Sequence, residues 1–467
     1  MDEEQSETLL QREEAATHSS SKVEEYLGGA GHAQSAPGDF AHVLWLSATL
    51  FSIIGGFWLL DSLKDTVLEV TLGMEYQPRA KLSSVLVTLL LVVGYNRLVD
   101  TVHKHVLFYW IGGCYMLALL VIGFLLLAIE GGALQGLRHV AGWASYVVIE
   151  SYGSLVVAQF WAFVNASVSL DEAKATYGWI IAGGQAGAIV GSTVATMAVP
   201  IPHLYLMGAT TPAVMAALVW GFIGQFPSLA SGKRGGSSDR GSKPGEMEGL
   251  RLVLRHRYVT MLLLVSCLNE VVLTVLDYQM KLAGVAHVRR ERFAALMGHF
   301  GQVTNCISLL LSLFGTRYAV SRLGVAHALR IFPVLLISAV VASRLYPSLG
   351  VLFSSVALLK GLTYALNEPC KEMLYMVTSD AVKFKAKGWI DVFGSRCAKG
   401  VGSFISEGVR SSPNGFLNYG SPVLLLVSMA LLGVSFLIGD SFDRLLQRGE
   451  IVGREEERRS SPTQVEL

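Results

Sequence analysis

VLFYWIGGCYMLALLVIGFLLLA, residues Val106–Ala128, runs its whole length without a charged side chain. About 30 Å of hydrocarbon is crossed by roughly 20 residues at 1.5 Å each. A helix also keeps every backbone polar group paired inside the segment. This stretch therefore reads as a membrane-spanning helix. Outward from it, eleven further stretches of spanning length follow the same pattern: His42–Leu60, Ser83–Val99, His139–Val164, Tyr177–Val199 and Ile201–Gly224 in the first half, then Tyr258–Tyr278, Phe293–Gly315, Ala326–Ser343, Tyr346–Leu366, Gly388–Val409 and Phe416–Gly439 in the second. The expectation is an all-α polytopic membrane protein with about 12 transmembrane helices.

Composition agrees. Of 467 residues, 52% are hydrophobic and 16% charged, where a soluble domain carries about 25% charged residues. Lys and Arg number 37 against 36 Asp and Glu, a net charge of +1, so no basic field points to nucleic acid. The five cysteines (Cys114, Cys267, Cys306, Cys370, Cys397) form no disulfide framework and no metal spacing. Phosphate-loop, GxSxG, HExxH and kinase motifs are missing. Neither an enzyme nor a cofactor is implied.

The spans divide evenly. Residues 225–257 turn polar and Gly/Ser-rich, SLASGKRGGSSDRGSKPGE, between a six-helix half at 42–224 and another at 258–439. Equal halves around a basic central loop suit a duplicated transporter bundle. Residues 1–41 form an acidic tail unlike a secretory or organellar leader, expected to be disordered and cytosolic, and 440–467 a second charged tail. The tails and even-numbered loops hold about 23 Lys and Arg against about 10 in the opposite loops, which places both termini inside. Plasma membrane, endosymbiont-derived envelope and bacterial inner membrane all stay open. The glycines of Gly183–Gly191 have the spacing of close helix packing.

Charges inside the apolar runs carry the functional signal, because an ionisable side chain in hydrocarbon costs about 2.5–3.5 kcal/mol unless it faces a partner or a polar cavity. Lys64 and Asp65 close the first span, Glu150 lies within the fourth, and Glu270 and Asp277 share a face of the seventh. Arg330 and Lys360 interrupt the ninth and tenth; Lys371 follows the tenth; Asp391, Arg396 and Lys399 fall in the eleventh. The second half holds more cations than its buried acids would neutralise. Such a surplus suits a polyanionic guest held through phosphate oxygens.

Four blocks in chain order resemble the nucleotide transporters of plastids and intracellular bacteria, the ATP/ADP translocase type. NEPCKEMLYMVTSDAVKFKAKGWIDVFGSRCAKGVGSFI, Asn367–Ile405, is similar to the family's DPCKEMAYIP and KxKxKAxIDVxGxRxGKxGG. FWAFVNASVSLDEAKATYGWIIAGGQAGAIVG (Phe160–Gly191), LKDTVLEVTLGME (Leu63–Glu75) and LNEVVLTVLDYQMKLAG with ALMGHFGQVTN match three further segments. The resemblance implies a twelve-helix, 6+6 major-facilitator-like bundle exchanging ATP for ADP by alternating access. It also implies transport roles for Lys64, Glu150, Glu270 and Lys371, with the lysines on phosphates, and a latching role for Asp391 and Arg396. Asn367-Glu368 stands where the family has Asp, and Met376-Val377 where it has IP. Broader nucleotide exchange, proton-coupled uptake of another organic anion through Glu270, and nucleotide binding without transport stay open.

Overall fold

The computed structural model describes residues 40–99, 104–168, 170–227, 246–379, 381–410 and 415–454. The acidic tail up to residue 39, the Gly/Ser-rich part of the linker and the chain beyond 454 lie outside the described residues. Six helices precede the linker: α1 Phe40–Thr71, α2 Gln77–Val99, α3 Lys104–Glu130, α4 Arg138–Ser167, α5 Leu170–Ala195 and α6 Ile201–Gln225. Six follow: α7 Arg257–His287, α8 Phe293–Leu310, α9 Thr316–Leu345, α10 Leu349–Leu362, α11 Ser395–Arg410 and α12 Ser421–Arg448. No strand occurs among the described residues.

Ten of these segments are long and apolar enough to cross a membrane. The two others expected to span are α5 and α11. The α5 helix carries Gln185, Ser192 and Thr193, and α11 carries Arg396 and Lys399 and is preceded by π-turns at Val382–Ala386 and Ile390–Gly394. Lipid supplies no water to unpaired backbone, so helical hydrogen bonding is enforced wherever the chain crosses. The outward faces are correspondingly apolar: Leu90, Trp110, Trp220, Phe404 and Leu426 are all exposed, as bilayer-facing side chains must be.

Helices run well past the apolar stretches that announce them. The α1 helix continues eleven residues beyond Leu60 to Thr71, so Lys64 and Asp65 lie inside it rather than at its end. The α12 helix likewise continues to Arg448, through the start of the expected charged tail. The linker is not uniformly polar: Glu246–Arg255 is a helix whose Leu252 and Val253 are buried, and its Gly249 lies close against the Lys385 carbonyl and Trp389.

Buried apolar side chains gather in two regions. One large cluster draws on residues 252–442, with Met74 as its only earlier member. Two others draw on 43–222, with Ala294 added. Among the first six helices, α1 and α5 approach until only glycine fits. A Cβ at Gly187 would stand 2.3 Å from the Phe51 carbonyl oxygen, and one at Gly191 2.0 Å from that of Gly55. The small-residue run is a packing seam.

Antiparallel succession puts the start of α1 and the end of α12 on one face, here called the terminal face. Trp45 early in α1 donates to Gln225 at the end of α6 (2.9 Å), and Val452 just past α12 bridges to Thr378 below α10. The opposite, distal face carries the turns after α1 and α7.

Candidate functional site

Between the two groups of helices lies a cavity of about 240 Å³. Asp61 and Lys64 of α1, Gln77 and Lys81 of α2 and Glu150 of α4 line it from one side. Glu270, Asp277 and Lys281 of α7, Lys360 above a π-turn in the tenth span, Glu368 below that turn and Lys399 of α11 line it from the other. Phe57, Trp58 and Tyr364 supply aromatic wall. The helices carry these charges into the protein because they also bury apolar residues, such as Leu60, Leu63 and Val67 of α1 and Val272, Val275 and Leu276 of α7.

Each cation is held by a carboxylate. Lys64 is bonded to Asp61 and lies 2.5 Å from Glu150, and Lys81 reaches the same Glu150 oxygen at 2.9 Å. The Lys64 amine also stands over the Tyr146 ring, whose hydroxyl accepts from Gln77 at 3.0 Å. Lys281 bridges Asp65 of α1 (2.8 Å) and Asp277 of its own helix (2.7 Å), and Lys360 takes the other Asp277 oxygen at 2.5 Å. Lys399 is 3.7 Å from Glu270. Five lysines (64, 81, 281, 360, 399) thus face five carboxylates (61, 150, 270, 277, 368). Of the second-half cations expected to be in surplus, Arg330, Lys360, Lys371 and Lys399 each have a carboxylate partner, while Arg396 bonds to Ser154. Arg330 is neutralised by Asp440 at 2.6 Å and Lys371 by Glu368 at 2.7 Å, acids that lie outside the spans as read from the sequence.

Of the four residues singled out first, Lys64, Glu150 and Glu270 line the cavity and Lys371 does not. Eleven residues separate Lys360 from Lys371, which an unbroken α-helix returns to one face within about 20°. The π-turn Thr363–Asn367 intervenes, and the Lys371 amine turns to Glu368. Among the secondary candidates Asp277, Lys360 and Lys399 line the cavity. Arg330 lies apart, against Phe436 and Asp440. Asp391 is exposed in the π-turn Ile390–Gly394. Arg396 leaves the cavity wall and donates to Ser154 of α4, tying α11 to the first group of helices.

Two lining lysines escape a reading of apolar runs. Lys81 falls two residues before the stretch Ser83–Val99 and Lys281 three after Tyr278, so both look like loop residues; the helices extend to include them. The i,i+4 spacing of Asp277 and Lys281 was the available signal.

Burial is graded along the cavity. Towards the distal face the side chains of Asp65 (2% exposed), Lys281 (6%) and Asp277 (9%) are sealed. Towards the terminal face Asp61 is 26% and Glu368 42% exposed. Beyond the sealed end the two groups of helices are joined by Arg290 to Glu69 (3.3 Å), Arg79 to Glu407 (2.7 Å) and Arg410 to Glu75 (3.9 Å). There Gly298 of α8 meets the Ser192 carbonyl of α5 so closely that a Cβ would come within 2.8 Å. The cavity is therefore shut distally and reached from the terminal face.

A charged cavity between two groups of six helices, closed on one face, is set in the fold of major-facilitator-type transporters. The chain superposes on the nucleoside transporter NupG with a TM-score of 0.61 at 12% identity, covering 86% of this chain and 99% of that one. It superposes on a bacterial homologue of the iron transporter ferroportin in an inward-facing state with a TM-score of 0.59 at 15% identity, covering 86% and 99%. In sequence the chain is similar to nucleotide carriers, as its four blocks suggest. It is 25% identical over 357 residues to ADP,ATP carrier protein 1, chloroplastic, of Arabidopsis thaliana, covering 68% of this chain and 56% of the relative. It is 25% identical over 336 residues to ADP,ATP carrier protein 1 of Chlamydia muridarum, covering 62% of each, and 25% identical over 475 residues to the plastidic ATP/ADP-transporter of Solanum tuberosum, covering 88% of this chain and 74% of that one. The chain spans less than two thirds of the length of the Arabidopsis and Chlamydia relatives. No family model matches it.

Proposed function

We propose that this protein is a nucleotide antiporter that exchanges ATP for ADP across a membrane by alternating access between two six-helix halves, 42–224 and 258–439. The observation that carries the proposal is the cavity's set of five lysines, each held by a carboxylate that a phosphate oxygen can replace. Similarity to ADP,ATP carriers supports the nucleotide. Lysine binds phosphate as a point charge with three donors, and such charge-assisted bonds are about twice as strong as neutral ones.

The cycle follows from the pairings. With no cargo, Lys64 and Lys81 hold Glu150, while Lys281 ties Asp65 to Asp277 across the two halves. At about 240 Å³ the cavity is smaller than the roughly 300–1,000 Å³ of typical small-molecule sites, so loading requires ion pairs to part. Phosphate oxygens take Lys64, Lys81 and Lys360, which leaves Glu150 without a lysine and Asp277 with Lys281 alone, both beside an anionic cargo. That repulsion weakens the seal at Asp65–Lys281 and favours the state open to the distal face. A ligand shifts such an equilibrium only by its differential affinity for the two states; here the differential is the loss of the carboxylate pairs. An unloaded carrier keeps its pairs and its seal, which makes exchange obligatory. Lys371 acts from outside the cavity, by fixing Glu368. Basic loops support a cytosolic terminal face, so the cavity as drawn faces the cytosol.

The experiment is counterflow of labelled ATP against internal ADP in proteoliposomes. Uptake that needs internal nucleotide is the expected result. Uptake driven by a pH gradient without internal nucleotide, or nucleotide binding with no flux, would overturn the proposal.

A further inference from the structure

A second cavity, of about 340 Å³, lies apart from the first, on the terminal face where α7 begins and α12 ends. Part of its wall is apolar, from Met261 of α7 and Leu437 and Leu445 of α12, and Tyr258 and Ser441 line it as well. Its mouth is cationic, formed by Arg257, Arg444 and Arg448. The third side is built by the chain after α12. Gly449 closes the helix at φ 63°, and Val452 then exchanges backbone hydrogen bonds with the segment below α10, donating to Val377 (2.9 Å) and accepting from Ser379 (2.8 Å). Gly453 completes the turn at φ 87°, where a Cβ would stand 2.6 Å from the Ser379 hydroxyl oxygen. This return places Glu450 at the rim, 3.9 Å from Arg448. Three guanidiniums against one carboxylate leave the mouth with a charge of about +2 at neutral pH. Arg444 spends two donors on its own helix, to the Asp440 carbonyl (3.1 Å) and the Ser441 hydroxyl (3.4 Å), out of the five a guanidinium offers.

An apolar floor beneath a ring of arginines, at helix ends on the membrane boundary, matches a molecule that is itself apolar below and anionic above. A free inorganic phosphate would use the mouth and leave the floor uncovered. We propose that this cleft binds the phosphate headgroup of an anionic phospholipid from the leaflet on the terminal side, with its glycerol and upper acyl chain against Leu437 and Leu445. Basic pockets between transmembrane helices recognise such headgroups in this way.

The test uses the full chain reconstituted in nanodiscs of phosphatidylcholine alone or mixed with phosphatidylglycerol, with lipid retained on release read by native mass spectrometry. Wild type is expected to retain phosphatidylglycerol in preference to phosphatidylcholine. The variant Arg257→Gln/Arg444→Gln/Arg448→Gln should lose about a hundredfold in that preference, at about a factor of five for each basic side chain near a headgroup. Leu445→Trp, which fills the floor and leaves the charges, should also abolish retention. Should the triple variant fail to fold by size-exclusion chromatography, Arg444→Gln and Leu445→Trp decide by the same reading. Equal retention in the variants and wild type overturns the proposal. So does displacement of the lipid by inorganic phosphate or ATP, which would make the mouth a free-anion site.

Discussion

Lys281 Nζ stands 2.8 Å from Asp65, across the boundary between the first and last six helices, with both side chains almost wholly buried. Because Asp277 shares the same amine, one lysine secures both the seal between helix groups and the fold of α7. Removing one partner of a buried pair leaves an uncompensated charge and costs about 3–5 kcal/mol. Lys281→Ala is therefore expected to lower the thermal midpoint in detergent sharply. Lys281→Met combined with Asp65→Leu should recover most of the loss, since Asp277 keeps Lys360; a double variant no more stable than the single one would refute the pairing.

In the proposed cycle, Glu150, which holds both Lys64 and Lys81, competes with the nucleotide for them. Replacing it by Gln removes the competitor and leaves the lysines in place. A hydrogen bond to a charged group is worth about 1.5–3 kcal/mol, so nucleotide binding to Glu150→Gln should tighten by about tenfold or more. Turnover in counterflow should fall, because the loaded and unloaded states are no longer distinguished. Isothermal titration beside proteoliposome flux separates the two effects.

Lys360 and Lys371 are predicted to differ although both lie in the tenth span. Lys360→Ala removes a cavity cation and should reduce counterflow by about a hundredfold, the scale of one strong charge-assisted contact. Lys371→Ala acts only by releasing Glu368, so Glu368→Gln in the same chain should restore much of the flux. Failure of that rescue would place the Lys371 amine on the cargo itself.

The α1–α5 seam sets a steric limit. A methyl group at Gly187 or Gly191 meets backbone, which cannot rotate away. Gly191→Ala should destabilise the protein by about 1–3 kcal/mol, whereas Gly178→Ala, a site in the same helix with nothing within 4 Å, should raise the midpoint slightly through the higher helix propensity of Ala.

Much of this architecture is legible in the amino-acid sequence. Apolar runs mark helices because lipid forces backbone pairing; Glu150 and Glu270 stand out as charges inside such runs, and Lys64 as one just past the end of the first. Lys81 and Lys281 do not, because an apolar run ends where its helix enters a polar cavity, while the helix itself goes on. The apparent cationic surplus of the second half has the same origin: Glu368 and Asp440, partners of Lys371 and Arg330, lie just beyond the ends of the apolar runs. The π-turn Thr363–Asn367 that separates Lys360 from Lys371 does carry a local mark, because Pro369, two residues past it, has no N–H to continue the i→i−4 ladder.

The equality of lysines and carboxylates around the first cavity has an electrical consequence. A site that is neutral without cargo adds no charge of its own to the moving parts, so the membrane potential acts on the cargo alone. Exchanging two nucleotides that differ by one elementary charge would then couple to voltage at about 2.3 kcal/mol per 100 mV. The direction of net exchange would follow the polarity of the membrane in which the protein sits, and reversing that polarity with an ionophore would reverse it.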